Sequence, residues 1–262
     1  MGKQSVFVAT PCYGGLVYYT YLRSLLDTVV HLNNAGVGVK IAGMGNESLI
    51  TRARNQMVAQ FLETDCTHMM FIDADITWEG ADVKKLLDWD KELIGGVYPM
   101  KEYVWERSES AFHDSFDAIS NSFNPALFKS KLMNYPVNYY ADEIKSNGGL
   151  VKLKHIPTGF MLIKRCVFEK MMKKYPEMKL TQDSNRDPTI AKWLYNFFDC
   201  MVEPSTGCYL SEDYAFCHRY LDLDRDNNEL YADISVGLSH TGTHTFEGHY
   251  GLSLLPKGGL AK

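Results

Sequence analysis

Along this chain short unbroken apolar runs alternate with segments of helical spacing. The first run, Ser5-Val6-Phe7-Val8-Ala9, is closed by Thr10-Pro11-Cys12-Tyr13-Gly14-Gly15. An apolar run without alternation reads as a strand buried on both faces, the parallel-sheet type, and proline and paired glycine mark its end. From Tyr18 to Asn33 the spacing of Leu22, Leu25, Leu26, Val29 and Val30 predicts a helix. Gly36 and Gly38 stop it, and Val37, Val39 and Ile41 alternate as a second strand. Strand, helix and strand in this order open a nucleotide-binding α/β sheet, although the loop carries no G-x-G-x-x-G fingerprint. Asn46 or Ser48 is expected to cap a second helix that runs to about Glu63.

The most informative stretch is Thr67-His68-Met69-Met70-Phe71-Ile72-Asp73-Ala74-Asp75-Ile76, where an apolar run leads into two carboxylates spaced i, i+2. On a strand that spacing places Asp73 and Asp75 on one face. Ligands of open α/β sheets bind outside the carboxyl ends of the strands, and two acids there repel each other unless a cation sits between them. Oxygen ligands of this kind suit Mg²⁺ or Mn²⁺. The plainer alternative is a turn acid and an N-cap for the helix after Trp78. On the second helix, at about 100° per residue, Arg54 falls among Ile50, Met57, Val58 and Phe61, whereas Arg52 points nearly the opposite way. An arginine on an apolar stripe needs an anionic partner, either a bound diphosphate or a core acid.

Further along, the pattern predicts a helix from Gly80 to Asp90 and a strand over Glu92-Leu93-Ile94-Gly95-Gly96-Val97, broken by the glycine pair. Residues 101–155 carry Tyr103, Trp105, Phe112, Phe116, Phe123 and Phe128 without a period and are read as the part that shapes a second-substrate site. Asn147-Gly148-Gly149 is expected to turn a hairpin into Leu150–Leu153. After the turn at Ile156-Pro157-Thr158-Gly159, Phe160–Ile163 reads as another buried strand and Cys166–Lys174 as a helix. Residues 178–208, polar and punctuated by Pro and Gly, are expected to form a mobile loop. Ser211 is the expected N-cap of a helix with Glu212 and Asp213 in its first turn, and a strand is expected near Ile234-Ser235-Val236.

Composition narrows the class. The chain has 262 residues, 45% of them hydrophobic and 23% charged, as in a globular protein with a full core. A net charge of −5 supplies no global field for nucleic acid, while 13% aromatics, 16 of them Tyr, suit a surface that stacks sugars or bases, or an aromatic core. No apolar run is long enough for a membrane helix and no signal-peptide core precedes the first strand. The six cysteines show neither C-x-x-C nor regular spacing and read as reduced thiols of a cytoplasmic protein.

Two constellations carry further chemistry. Asp213 or Glu212, at the positive end of a helix dipole, is placed to accept a proton from an attacking hydroxyl, though acids are ordinary in a first turn. His240 and His244 have the spacing of a helical zinc pair, but Thr241-Gly242-Thr243 between them argues for a loop. One histidine completing an oxygen-rich metal site is the better reading. The chain has no P-loop, no G-x-S-x-G elbow and no kinase signature.

The order of these motifs resembles the metal-dependent nucleotide-sugar glycosyltransferases of the GT-A fold, in particular a phage, large-virus and bacterial group related to inverting family-2-type enzymes. The matching residues are Ala9-Thr10-Pro11-Cys12-Tyr13, Thr51-Arg52-Ala53-Arg54-Asn55, Phe71-Ile72-Asp73-Ala74-Asp75-Ile76, Gly95-Gly96-Val97-Tyr98-Pro99, Thr158-Gly159-Phe160-Met161-Leu162, Ser211-Glu212-Asp213-Tyr214 and Ser239-His240-Thr241-Gly242. The resemblance implies one GT-A-like domain over 1–262 with a Rossmann-like, mostly parallel sheet flanked by helices. Its nucleotide-binding half would be 1–100, and its less regular acceptor-side half 101–262 would end in a metal-ligand loop. It further implies that Thr10, Pro11 and Tyr13 line the base and ribose pocket, with Arg54 and the neighbouring Asn55 at the nucleotide or its diphosphate. Asp73 would hold the ribose or the metal indirectly, and Asp75 and His240 would ligate Mn²⁺ or Mg²⁺. Thr158 and Gly159 would lie along the sugar and acceptor, and Asp213 would be the base. A UDP-sugar is the implied donor and a carbohydrate or other hydroxyl the implied acceptor, in the cytoplasm (the host's, for a viral protein).

Three competitors stand beside this reading. A sugar-1-phosphate nucleotidyltransferase normally carries a basic glycine-rich loop after the first strand, whereas Tyr13-Gly14-Gly15-Leu16-Val17-Tyr18-Tyr19 has no Lys or Arg. A non-catalytic carbohydrate-binding protein on the same fold has no reason to keep Asp75, Asp213 and His240 together. A nucleic-acid acceptor is disfavoured by the acidic balance, although single strands need only a small basic groove.

Overall fold

The computed structural model describes residues 3–117, 121–140, 146–181 and 188–255. In chain order the first half contains β1 (Ser5–Cys12), α1 (Tyr19–Asn34), β2 (Gly38–Gly45), α2 (Ile50–Leu62), β3 (His68–Ile72), β4 (Ile76–Thr77), α3 (Asp82–Asp88), β5 (Leu93–Gly95), α4 (Ser108–Ser115), β6 (Phe116–Asp117), β7 (Ser122–Phe123) and α5 (Pro125–Lys131). Then come β8 (Ser146–Asn147), β9 (Leu150–Leu153), β10 (Phe160–Lys164), α6 (Arg165–Lys174), β11 (Met201–Val202), β12 (Tyr209–Leu210), α7 (Glu212–Leu223), β13 (Leu230–Asp233), β14 (Leu238–Thr241), β15 (Thr245–Gly248) and α8 (Tyr250–Ser253). Among the described residues no helix is long and apolar enough to cross a membrane.

Eight strands form one sheet in the order β2-β1-β3-β10-β5-β13-β9-β8. β1 pairs in parallel with both β2 and β3, and β5 with β13, whereas β10 runs antiparallel between β3 and β5. With β9 also reversed, the remaining strands share one direction, so the architecture is the expected α/β sheet, mostly parallel and flanked by helices. The strand over Phe160–Ile163 is where expected, but its direction is not that of a parallel-sheet strand.

Each apolar run feeds both faces of this sheet, because successive side chains of a strand point opposite ways. Val6, Val8, Met70, Ile72, Phe160 and Leu162 pack with Tyr21, Leu25 and Leu32 of α1 and Val83, Leu86 and Leu87 of α3. Phe7, Ala9, Met69, Phe71, Met161 and Ile163 pack on the other side with Met57, Val58 and Phe61 of α2, Val167 and Phe168 of α6, and Phe216 of α7. The sheet is thus the middle layer of three.

Several local expectations are corrected. α2 starts after Leu49, with no side-chain cap from Asn46 or Ser48, and Asn46 itself has φ 61 in the turn before the helix. Residues 234–237 are a turn between β13 and β14 and not a strand. The run Ser239–His244 is the arm and bend of the β14–β15 hairpin. Of the expected mobile loop 178–208, residues 182–187 lie outside the described residues, but Ile190, Leu194, Phe197 and Phe198 are buried. Phe198 stacks on Phe216 with ring centroids 4.3 Å apart and meets Phe71 edge-on, so this polar-looking stretch contributes to the core. The hairpin at 146–153 forms as expected, with Gly148 and Gly149 both at positive φ.

Two histidines are enclosed by this packing. His68 opens β3, and His155 lies flat on Tyr214 with ring centroids 4.7 Å apart while Asn138 Nδ2 donates to its Nδ1. Burial, with Lys164 near one and Lys154 near the other, pulls each from 6.5 down to about 4. The folded state therefore favours both neutral, so the unfolded chain binds more protons between pH 6.5 and about 4, and stability falls as pH drops through that window. The expected loss is on the order of 2 kcal/mol per histidine. Urea unfolding at pH 7 and pH 4.5 checks this, since the His68→Gln/His155→Gln protein should lose much less over the same interval than the wild type.

Candidate functional site

Three parallel strands, β1, β2 and β3, end on one side of the sheet, and a cleft of about 760 Å³ opens there. Its walls are Pro11 near the end of β1 and Tyr13 after it, Glu47 and Ser48 after β2, Ile50 and Arg54 of α2, and Asp73, Ala74 and Asp75 after β3, with Leu16, Val17 and Tyr18 also lining it. This is the carboxyl-edge crevice expected of an open α/β sheet. Glu47 also holds Arg52 in a salt bridge of 2.6 Å, which leaves α2 with one arginine at the rim and one inside.

Asp73 and Asp75 reach the cleft by a route the sequence did not indicate. β3 stops at Ile72, so the two acids sit in the turn to β4 instead of on one strand face. That turn is held from three directions by its backbone. Asp73 N–H donates to Gly159 O at 3.0 Å, Ala74 O accepts from Tyr18 N–H at 3.1 Å, and Asp75 O accepts from Thr241 N–H at 2.8 Å. Gly159 is required at its position, because a Cβ there would lie 2.7 Å from Asp73 Oδ2 and from the Tyr98 ring.

Arg54 is 5% exposed and lies between two carboxylates. Its guanidinium donates to Glu212 at the start of α7 and sits 3.4 Å from Asp73 Oδ1, while its Nε has no hydrogen-bond partner. Burial disfavours the cation, but Asp73, Glu212 and nearby Asp213 outweigh it and hold the guanidinium above its usual range. Asp73 is raised by burial, which Arg54 offsets only in part and Asp75 reinforces. Of the two partners expected for Arg54, the structure supplies the core acid.

Asp75 has a different set of neighbours. His240 Nε2 lies 3.5 Å from its Oδ1, and Lys101 Nζ donates to its Oδ2 at 2.6 Å. Burial pushes the Asp75 carboxyl up, yet the hydrogen bonds from His240 and Lys101 win and hold it below the ordinary carboxylate value. His240 is oriented from behind by a 3.0 Å contact between Nδ1 and Pro99 O, which leaves Nε2 facing Asp75. Among the described residues no group of three His, Cys, Asp or Glu side chains is arranged around one point. A carboxylate and an imidazole so aimed nevertheless form a donor pair suited to Mn²⁺ or Mg²⁺, which take their remaining ligands from water and phosphate oxygens.

The remaining candidates divide. Glu212 belongs to Arg54, whereas Asp213 beside it is half-buried and accepts from the Ser211 hydroxyl. Ser211 is at the N-cap position of α7 but turns its side chain to Asp213 instead of the helix amides. Thr158 is 0% exposed with an unpartnered Oγ1, directly before Gly159. Thr10 is buried against the Tyr21 hydroxyl, and Asn55 uses its amide on Asn196 and on the backbone of Phe198, so neither faces the cleft. Two participants were not singled out in advance. Tyr98, inside Gly95–Pro99, has its phenol pushed well above the usual value by burial and the neighbouring Asp73. Lys101 carries no local signal, since its partner Asp75 is met only across the fold.

Replacing Arg54 by Met would leave Asp73 and Glu212, which keep 29% and 15% of their side chains exposed, without their cation. The expected cost is about 1–3 kcal/mol at pH 7, smaller at pH 5 where the acids can take up protons. Equal destabilisation at both pH values in urea unfolding would contradict the ion triad.

Neither a family model nor a curated protein sequence matches the chain. Among solved structures it is similar to A197 from STIV, at 15% identity over 91% of this chain and 86% of that chain, with a TM-score of 0.48. It is similar to S. aureus TarS 1–349, crystallised in complex with UDP-GlcNAc, at 12% identity over 87% of this chain and 56% of that one, with a TM-score of 0.38. UDP-glucose pyrophosphorylase complexed with UDP-glucose matches at 8% identity over 86% of this chain and 98% of that chain, with a TM-score of 0.33. Likeness at this level does not extend to activity, so the functional reading rests on the geometry of the cleft.

Proposed function

We propose that this protein is a metal-dependent glycosyltransferase that moves a sugar from a nucleoside-diphosphate sugar to an acceptor hydroxyl. The observation that carries the reading is the pairing of His240 with Asp75, a carboxylate that lines the cleft onto which the N-terminus of α2 also opens. The first amides of a helix lack intrahelical partners and favour a diphosphate, and the adjacent Pro11 and Tyr13 offer an apolar and an aromatic surface for the nucleoside.

Asp75 and His240 would hold Mn²⁺ or Mg²⁺, which when bound neutralises charge on the departing diphosphate. Arg54 is already neutralised by Asp73 and Glu212, so its part is to fix the floor of the cleft rather than to meet phosphate directly. Asp213 lies near Arg54 but, unlike Glu212, makes no ion-pair contact with it, and it is the carboxylate that accepts the acceptor's proton. The acceptor oxygen then bonds to the anomeric carbon as the bond from that carbon to the diphosphate breaks, with inversion. UDP is the first donor nucleotide to examine.

Calorimetric titration with UDP, GDP and CDP, each with Mn²⁺ and with chelator, tests the proposal. One nucleoside diphosphate should bind only with metal, and Asp75→Ala should abolish that binding. Asp213→Asn should bind the same nucleotide unchanged while turnover falls by about 10²–10⁴-fold. Absence of metal-dependent binding, or a wild-type rate in Asp213→Asn, would overturn the proposal. Pyrophosphate release from a nucleoside triphosphate and a sugar 1-phosphate would instead indicate a nucleotidyltransferase.

A further inference from the structure

Beside the cleft, four rings meet on a surface that the site described above does not use. Tyr103 is the hub, with ring centroids 5.2 Å from Trp105, 5.1 Å from Phe246 and 6.0 Å from His244. Its hydroxyl lies 3.2 Å from His244 Nε2, and His244 meets Phe246 edge-on at 5.2 Å. Trp105 is 61% exposed, an unusual position for an indole already packed along one edge.

Two connections attach these rings to the cleft. Phe246 on β15 is directly opposite His240 on β14, and directly opposed residues of an antiparallel pair share a face of the sheet. Lys101, two residues before Tyr103, reaches back to Asp75 Oδ2. The rings therefore begin where the Asp75–His240 pair ends.

We infer that Trp105 and Tyr103 form the binding platform for the acceptor, and that this acceptor is a neutral saccharide. The inference rests on the glycosyltransferase reading for the word acceptor, but the platform itself does not depend on the donor. The C–H face of a pyranose is apolar and flat, and it packs on an exposed indole while its hydroxyls stay in water. A nucleic acid would stack as readily but also needs cations for its phosphates. Here the nearby lysines are paired with carboxylates, and Arg107 is held by neutral acceptors. Lys101 is paired with Asp75, Lys129 with Glu247 at 2.6 Å, and Arg107 bonds Asn134 Oδ1 and the Met133 carbonyl. Glu102 and Glu106 beside the rings would repel a polyanion.

The test uses immobilised neutral oligosaccharides built on glucose, galactose and N-acetylglucosamine, with single-stranded oligothymidylate alongside, in chelator and without nucleotide. The full chain should be retained by at least one saccharide. Trp105→Ala should lose about tenfold or more of that affinity, and Trp105→Phe should keep most of it, which separates loss of the platform from loss of fold. No retention by any saccharide, equal retention of Trp105→Ala, or stronger binding to oligothymidylate would overturn the inference. Titration of the same proteins with UDP and Mn²⁺ distinguishes the two readings. Saccharide binding through Trp105 without nucleotide binding sinks the transferase and leaves the platform, and the converse sinks the platform alone.

Discussion

A single buried cation determines how the cleft is built. Arg54 comes from α2, Asp73 from the turn after β3 and Glu212 from the first turn of α7, and an enclosed guanidinium must keep both carboxylates close. Three elements from distant parts of the chain are thereby brought to one point. The same interaction sorts the acids. Glu212 and Asp73 share the one cation, and Asp213 and Asp75, each within two residues of one of them, are left with other partners. Adjacent carboxylates thus acquire different environments without any difference in residue type.

What could be read from the chain beforehand was what is local. The run Met69–Ile72 and the position of Arg54 on α2 follow from spacing within one element and are found as expected, whereas α1 forms but buries Tyr21, Leu25, Thr28 and Leu32 and leaves Leu22, Leu26 and Val30 of the expected stripe exposed. Strand direction has no such local signature. Phe160–Ile163 has the composition of a parallel strand yet runs antiparallel to both of its neighbours, β3 and β5. Phe197 and Phe198 were hidden for a similar reason, since two aromatic residues in a polar, proline-containing stretch show no period.

The site was legible in its types more than in its partners. Asp75 followed from two carboxylates after an apolar strand, whereas His240 was picked out among the histidines of its loop only by the family resemblance, and the two do meet. Lys101 and Tyr98 could not, because their roles come from contacts spanning tens of residues. The i, i+2 spacing of Asp73 and Asp75 suggested a shared strand face. In the structure a turn, fixed by backbone bonds to Tyr18, Gly159 and Thr241, does the aiming. Asn55, adjacent to Arg54, shows the reverse error, since one step around the helix takes it from the cleft to the Phe198 backbone.

The reversed strand β10 has a consequence for how the molecule comes into being. It fills the gap between β3 and β5, so every residue up to Gly95 can be present while the sheet still lacks its middle member. As the chain leaves the ribosome, β3 has one edge without a neighbour, and β5 cannot join the first three strands until Phe160–Lys164 arrives. The Asp73 turn, held by Tyr18 from the start, lacks its bond to Gly159 for the same interval and its bond to Thr241 for longer. The cleft is therefore a late product of folding, although most of its walls are synthesised first.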